Sequence, residues 1–284
     1  MRYKLYKEQN KLRLNKNQGK EKLIMKAVLT MFSAVLLAAA AMAAETVAPA
    51  GITDWVFTGK SLSYKNGIGI FNGYMLSSRG FIPVDPSKKY IVEGEFRTAE
   101  KSKPAKFQLG MVSLDGQRRV IRPNTVIVVP GSGAVLVKAA PAGSTKITVK
   151  TIHKWNPKIK AHIVAGADNS GKFSDLPNFD LVGKVAKVTV TDGKILDVEL
   201  AAPLTRNLPA GENIRLHSDG GVHVCSKPVT VGKEWQKFSH VISGYSKGHT
   251  TSQFRHGAKY AKIFILHHKG SVLEFRNITL KEAK

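Results

Sequence analysis

Hydrolysis needs two carboxylates placed across a cleft, or a nucleophile paired with a base. Two of the 20 acidic residues lie in residues 1–26, which leaves 18, several of them in turn-like settings such as Asp115 and Asp192. Glu93 and Glu95 share one face of a strand-like segment, and Arg97 beside them offers a neutralising charge. We interpret this pair as solvated surface and predict that the chain is not an enzyme.

Histidines suggest a metal site, since seven of the nine lie between His217 and His268. His267 and His268 are adjacent in a strand-like run, so they should point to opposite faces. A hairpin at residues 219–221 would bring His217, His223 and Cys225 together, but helical HExxH and CxxC spacings are absent from the sequence. The sequence therefore predicts no metal and no cofactor.

Loop-borne tyrosines beside arginines are the best candidates for binding. Tyr74 and Arg79 lie in FNGYMLSSRG, and Tyr245 and Arg255 lie in ISGYSKGHTTSQFRHG, both rich in glycine and serine. An aromatic face can cover the C–H patches of a sugar ring, while polar side chains pair with its hydroxyl or acidic groups. These four residues are the predicted carbohydrate-binding residues, against the alternative that they are ordinary amphipathic loop residues.

The three tryptophans, Trp55, Trp155 and Trp235, are flanked by strand-like residues, which favours core packing. Cys225 is the only cysteine, so the chain has no internal disulfide. Its setting, His-Val-Cys, predicts a small buried apolar side chain, with an intermolecular disulfide as the alternative. Stability must then come from core burial.

The net charge is +24, and removal of the nine basic and two acidic residues of 1–26 leaves +17. A surface this basic attracts polyanions in general, although scattered solubilising lysines would give the same total. Nucleic acid is not an expected partner, because charge alone supports it and the sequence has no zinc-finger spacing, RNP-like strand or phosphate loop.

The N-terminus predicts export. Residues 27–44 are uncharged, follow a basic stretch and end in Ala41-Met42-Ala43, the layout of a secretory signal with cleavage before Ala44 or Glu45. Met25 would begin a signal of ordinary length. The alternative is a retained hydrophobic helix, because 18 residues approach the ~20 that span a bilayer; only then would the membrane be a partner. We assign residues 1–43 to a basic extension plus signal peptide and predict a secreted, periplasmic or cell-surface protein.

The rest of the chain predicts an all-β fold, with short Val-, Ile-, Phe-, Thr- and Tyr-rich runs between Gly, Pro, Asn and Asp. Asp192-Gly193 suits a two-residue hairpin. Pro141-Ala142-Gly143 and Pro209-Ala210-Gly211 each open a strand. The predicted strands are 90–97, 107–113, 125–129, 146–150, 185–191, 195–200, 235–242, 260–266 and 271–280.

Residues 134–217 resemble the small β-modules of exported and phage structural proteins, in which an AGxxxIxV strand, a hairpin and a PLxxxxxAGxxV ending follow one another. The flanks, with VDPSKKYIVEGEFRT before the module and VGKEWQKFSHVISG and FRHGAKYAKIFIL after it, resemble the galactose-binding-like jelly roll of carbohydrate-binding modules. The two resemblances imply a jelly-roll β-sandwich from 52–133 plus 218–284, interrupted by a small β-barrel-like module at 134–217 and preceded by the N-terminal signal or hydrophobic helix.

The same resemblance implies function mainly through packing positions. Such modules often end in an acidic strand that holds a structural calcium, whereas this chain has Phe275-Arg276-Asn277-Ile278, so calcium is not supported there. The leading hypothesis is a non-catalytic exported protein that binds polysaccharide, including anionic polysaccharide. A structural or assembly protein of the envelope or extracellular matrix, with self-association, is the alternative, and a polysaccharide hydrolase or lyase is the lesser one.

Overall fold

The computed structural model describes residues 46–47, 54–153, 155–156, 160–268 and 270–283. The predicted signal or hydrophobic helix at residues 1–43 lies outside them. In the described part nineteen strands and one short helix follow one another: β1 Thr46–Val47, β2 Trp55–Lys65, β3 Ile68–Ser78, β4 Ile82–Pro83, β5 Lys89–Thr98, β6 Ala105–Leu114, α1 Pro123–Val126, β7 Ala134–Leu136, β8 Lys146–Thr151, β9 Ala161–Ala165, β10 Leu181–Asp192, β11 Ile195–Leu200, β12 Asn213–Ser218, β13 His223–Cys225, β14 Val229–Val231, β15 Gln236–Ser243, β16 Tyr245–Ser246, β17 Phe254–Arg255, β18 Tyr260–His267 and β19 Leu273–Glu282.

The all-β prediction is confirmed. An eleven-stranded sheet has the central order β13-β6-β18-β3-β19-β5-β15, with β2 on β3, β14 on β6, β4 on β18 and β1 on β19. A second set of strands, β10-β11-β8-β7-β12-β9, closes into a barrel. The large sheet takes strands from both sides of the barrel in sequence. The assignment of 134–217 as a separate domain stays a prediction.

The large sheet folds into two layers because β3 pairs with a different neighbour in each half. Gly69–Phe71 pair with Phe275–Leu273 of β19, whereas Met75–Ser77 pair with Leu266–Phe264 of β18. One layer is therefore β13-β6-β18 and the other β19-β5-β15. The apolar faces of both meet in one core, where Phe96 of β5 stacks on Phe107 of β6 at 4.3 Å between ring centroids.

Two glycines allow β2 and β3 to pass from one layer to the other. Gly59 has φ +146°, and a Cβ there would lie 2.1 Å from the Cα of Gly73. The register of the β2–β3 ladder shifts on both sides of Gly59. No residue with a side chain fits so close a backbone approach, so the glycine pair fixes where the ladder turns.

One predicted strand is wrong. Thr125–Val129 begins inside α1, which starts with Pro123 at its first position and closes with a 2.7 Å bond from Ile127 N to Pro123 O. Proline favours the first turn of a helix because its fixed φ suits that position. Val128 then makes only an isolated bridge, to His217.

The predicted turns of the barrel are close to those observed. β10 and β11 form a hairpin in which Asp192 pairs with Ile195, so the two loop residues are Gly193 and Lys194, one position later than predicted. The two Pro-Ala-Gly segments precede β8 and β12 and start side by side, because Ala140 bridges Leu208. Cys225 is a buried free thiol, as predicted.

A buried polar network joins the barrel to the sandwich. Arg215 of β12 donates from Nη2 to Asp175 Oδ2 at 2.8 Å and from Nη1 to the Asp168 carbonyl at 2.8 Å. Its Nε donates to His217 Nε2 at 3.1 Å, and His217 Nδ1 lies 3.1 Å from the Asn124 carbonyl of α1. A carbonyl only accepts, so Nδ1 carries the proton and the neutral ring satisfies both contacts.

Among the described residues, none of the helices has the length and apolar character needed to cross a membrane.

The His217 network predicts that acid destabilises the fold. Burial, then the charge of Arg215, lowers the pKa of His217 to about 4. Between about pH 6.5 and 4 the unfolded chain therefore binds a proton that the folded chain does not, so the free energy of unfolding falls as pH falls through this window. The contribution of His217 is about 3 kcal/mol. Urea unfolding at several pH values measures it.

The matched variant is His217→Gln, whose amide does not titrate. Its free energy of unfolding should depend less steeply on pH between 4 and 6.5, whatever its stability at neutral pH. Equal slopes for the variant and the parent chain would contradict the assignment, since other histidines with lowered pKa values, such as His223 and His240, are present in both.

Candidate functional site

A cleft of about 850 Å³ lies where β2 and β3 pass from one layer to the other. One wall is the Gly59–Gly73 crossing with its neighbours, and the opposite wall is the segment Gly270–Val272 between β18 and β19, together with Ser102 after β5. The polar and aromatic side chains on these walls are Tyr74, Thr58, Lys60, Asn72, Ser102 and Ser271. We refer to this site as the Tyr74 cleft.

Tyr74 follows Gly73 directly and is 46% exposed, so its ring is available to a ligand. Around it the cleft offers hydroxyl, amide and ammonium groups, from Thr58, Asn72 and Lys60. An aromatic ring with donors and acceptors of this kind is the combination that sugar recognition requires. The predicted residue Tyr74 therefore lies in a concave site of suitable chemistry.

His267, at the end of β18, lies behind the cleft wall and is fully buried. Its Nδ1 is 2.8 Å from the Gly73 carbonyl, and its Nε2 is 2.9 Å from Ser271 Oγ. Because the carbonyl must accept, Nδ1 carries the proton and Nε2 accepts the hydrogen bond that the Ser271 hydroxyl donates. Burial lowers the pKa of His267, which favours this neutral form.

Arg79 lies outside this cleft, beside a cluster of basic and aromatic side chains. The ring of Phe81, 38% exposed, has the Arg118 guanidinium 5.0 Å and the Lys262 ammonium 4.4 Å from its centroid. Burial, and then the charge of Arg79, lowers the pKa of Lys262. We call Phe81, Arg79, Arg118 and Lys262 the basic-aromatic patch; it is a second surface on which a negative ligand is favoured.

Tyr245 and Arg255 lie at the other end of the sandwich. Met75, next to Tyr74, pairs with Leu266 near the end of β18. Arg255 N donates a hydrogen bond to Ser113 Oγ, and the next residue, Leu114, pairs with Tyr260 at the start of β18. Six residues of strand separate these ends, roughly 20 Å. The four predicted binding residues therefore do not form one site.

Arg255 has a different environment from the one predicted for it. It is 2% exposed, and its guanidinium donates to the carbonyls of Gly248 at 3.0 Å and Gly221 at 3.2 Å. The side chain thus holds two loops together instead of lying free on a surface. Tyr245 is 55% exposed and packs edge-on against His256, with ring centroids 4.8 Å apart.

The prediction for the tryptophans is confirmed for Trp55 and Trp155, which are buried, and is wrong for Trp235. Trp235 is only partly buried, and its ring lies between the guanidinium groups of Arg97, at 4.6 Å, and Arg276, at 4.3 Å. It precedes edge strand β15 on the outer face of its layer, so its apolar ring is covered by arginines and not by the core.

The carboxylates on that outer face are neutralised, but by neighbouring strands. Glu93 bonds Lys237 at 3.0 Å and Lys281 at 3.1 Å, while Glu95 bonds Arg276 and Asn277. These contacts lower the pKa of both carboxyl groups, through hydrogen bonds with Lys237 and Asn277 first. Arg97, predicted as their partner, instead bonds Glu274 at 2.6 Å.

The residues considered for metal binding have other partners. His217 belongs to the Arg215 network, His223 stacks on Phe264 at 3.8 Å, and burial raises the pKa of the Cys225 thiol to about 12. Arg276 and Asn277, where a calcium strand would carry acids, both bond Glu95. Within the described ranges no group of three His, Cys, Asp or Glu is placed to hold a metal.

Comparisons with known proteins add little. No protein-family model matches the chain, and no curated protein matches it. A solved structure described as "CBM4 structure and function" aligns over 81% of this chain and 86% of its own, with 6% identity and a TM-score of 0.33. A score this low does not establish a common fold, so the function must be argued from the cleft itself.

The role of Arg255 gives a stability prediction. Arg255→Met should lower the free energy of unfolding by about 1–3 kcal/mol, because two carbonyls of the 221 and 248 loops lose their donors. Urea unfolding of Arg122→Met is the control: the same change at this exposed arginine, just before α1, should cost about 0.5 kcal/mol or less. Similar losses at the two positions would show that Arg255 does not hold the loops.

Proposed function

We propose that this chain is an exported carbohydrate-binding protein that holds a polysaccharide, with acidic polysaccharide preferred, in the Tyr74 cleft. The observation that carries the proposal is an exposed tyrosine on the wall of a cleft of about 850 Å³, surrounded by hydroxyl, amide and ammonium groups. Stacking of the ring on a sugar face would supply apolar contact, and the polar groups would orient the hydroxyls.

The preference for acidic sugars rests on charge. Without residues 1–26 the exported chain keeps a net charge of +17 and attracts polyanions in general. Lys60 lines the cleft, and the basic-aromatic patch, a separate surface, has two further cations around Phe81. A carboxylate or sulfate on a sugar would form charge-assisted hydrogen bonds with such groups. Export follows from the signal-like residues 27–44, which also make an extracellular polysaccharide the relevant polyanion.

The fold proposed for this function is a jelly-roll sandwich interrupted by the barrel. The two-layered sheet places its cleft at one end, and the barrel attaches near α1. Cleavage of the sugar chain itself is a weaker interpretation, because the paired carboxylates Glu93 and Glu95 are engaged by Lys237, Lys281, Arg276 and Asn277.

Substitution of the cleft tyrosine tests the function. Tyr74→Ala should weaken retention of an immobilised uronic-acid polysaccharide about tenfold or more, since an aromatic face buried on a sugar contributes about 1.5 kcal/mol or more. Affinity electrophoresis in gels with and without the polysaccharide measures retention. Higher salt should weaken retention further, because it screens the attraction between the basic side chains and the acidic polysaccharide.

Tyr245→Ala is the matched control, as an exposed tyrosine at the opposite end of the sandwich. It should leave retention unchanged. Binding that falls equally in both variants, or in Tyr245→Ala alone, would exclude the Tyr74 cleft. A parent chain that is retained by neither neutral nor acidic polysaccharides would exclude the function.

A structural or assembly role is the second candidate, and the edge strand β2 favours it. This eleven-residue strand pairs only with β3 among the described residues, and it exposes Val56 and Phe57 by 47% and 39%. A long edge strand with exposed apolar side chains is a template for pairing with another chain. The partner we propose is the β2 strand of a second copy.

Edge pairing predicts concentration-dependent dimers in sedimentation velocity that Val56→Lys reduces, because a lysine on an edge disfavours strand addition. Val135→Lys is the control, since Val135 is 38% exposed but pairs with Asn213 of β12 on one side and with Lys150 of β8 on the other. A monomer at all concentrations, or equal effects of the two substitutions, would argue against assembly through β2.

A further inference from the structure

Ser271 and His267 form a hydrogen-bonded pair on the wall of the Tyr74 cleft. Ser271 Oγ lies 2.9 Å from His267 Nε2, and His267 Nδ1 lies 2.8 Å from the Gly73 carbonyl. Ser271 and Gly73 both line the cleft. A hydroxyl bonded to an imidazole that a third group orients is the arrangement by which proteins activate a serine nucleophile.

We propose that Ser271 and His267 act as nucleophile and general base in the cleavage of carboxylic esters, and that the natural substrate is an O-acyl group on a sugar held in this cleft. The substrate class rests on the proposed glycan-binding function, whereas the reactivity of the pair rests on its geometry alone. The chain would then remove substituents from a polysaccharide without cutting its backbone.

The protonation state suits this role. The Gly73 carbonyl fixes the tautomer, so Nε2 is unprotonated and faces the hydroxyl proton. Burial lowers the pKa of His267 and keeps the imidazole neutral near pH 7, against a smaller opposing effect of the hydrogen bond to the Gly73 carbonyl. The Gly73 carbonyl still accepts the hydrogen bond from Nδ1–H once the ring becomes an imidazolium, so the ring keeps its orientation through the reaction.

The bonds balance in two steps. Ser271 Oγ attacks the ester carbonyl carbon as its proton moves to His267 Nε2; the C–O bond to the sugar then breaks, and the imidazolium returns the proton to the departing sugar oxygen. Water next gives a proton to Nε2 and attacks the acyl carbon. The acyl–Oγ bond then breaks as the imidazolium returns that proton to Ser271 Oγ, which releases the carboxylic acid and restores the serine. Lys60 and Asn72 on the same cleft supply N–H donors for the oxyanion.

An ester is the expected bond for a reason of charge. The group that orients His267, after Ser271 and His267 the third member of this arrangement, is the neutral Gly73 carbonyl. A neutral carbonyl stabilises an imidazolium less than an aspartate carboxylate does. An alkoxide departs more readily than the amide anion that cleavage of an unprotonated amide would release, so a base of moderate strength is sufficient for ester cleavage. The open Tyr74 side of the cleft gives room for a sugar on the alcohol side of the ester.

Active-site labelling tests the pair without any glycan. A fluorophosphonate probe should add once per chain, and peptide mass mapping should place the adduct on Ser271. Ser271→Ala should abolish the adduct and lower p-nitrophenyl acetate hydrolysis about 100-fold or more, the size of a general-base effect. Ser226→Ala should change neither, because Ser226 does not line the cleft and its hydroxyl accepts a hydrogen bond from Leu109 N. A parent chain that takes no adduct, or takes it elsewhere, overturns the proposal.

The pH dependence of labelling identifies the base in the parent chain, without relying on a variant that folds. With His267 as base the labelling rate should level off above about pH 6.5 and fall on acidification, because burial lowers the pKa of this histidine. A rate that instead rises in proportion to hydroxide up to pH 9 overturns the role of His267.

Glycan experiments separate this inference from the proposed function. Release of acetate from an acetylated polysaccharide, lost in Ser271→Ala, supports both. Labelling at Ser271 without retention on any polysaccharide supports the pair and overturns only the sugar substrate. Retention that depends on Tyr74, with no labelling of the parent chain, leaves the binding function in place and overturns the ester chemistry.

Discussion

The close approach of two backbones at Gly59 and Gly73 is the constraint on which the sandwich and its cleft depend. Since neither residue has a Cβ, the paired strands β2 and β3 come so close that a Cβ on Gly59 would lie 2.1 Å from the Cα of Gly73. The crossing lets β3 pair with β19 in one layer and with β18 in the other. It also places Tyr74 at the cleft and turns the Gly73 carbonyl towards His267, so fold and candidate chemistry share one origin.

Sequence reasoning located most strands that alternate apolar and polar residues. β5, for example, buries Tyr90, Val92 and Phe96 on one side, as the segment YIVEGEFR indicates, and was predicted to within one residue at each end. β2 and β3 were not among the predicted strands. β2 buries only Trp55 and Leu62, and glycines interrupt the apolar residues of β3. Neither sequence therefore alternates apolar and polar residues as a half-buried strand usually does.

The candidate site was predictable only in part. Glycine and serine around Tyr74 predicted an exposed loop residue; Tyr74 is exposed, but it lies in strand β3 and not in a loop. The same pattern at Arg255 led to a buried residue, one of whose partners is the carbonyl of Gly221, distant in sequence. The Ser271–His267 pair was missed, and with it the one arrangement that counts against a purely non-catalytic protein. Serine four residues after histidine has no special meaning until a turn brings the two together, and the orienting Gly73 lies 194 residues away.

The barrel leaves and rejoins the sandwich at almost the same point. Val129 N bonds Leu216 O at 2.9 Å, and Ser218 N bonds Ile127 O at 2.8 Å, so the incoming and outgoing chains run side by side. The loop-closure cost of an insert grows only by about 0.6 kcal/mol for each doubling of its length, so chain entropy depends weakly on what stands between these two bonds. A segment of different length between these two bonds would therefore change the chain-entropy cost of folding the surrounding sheet only slightly.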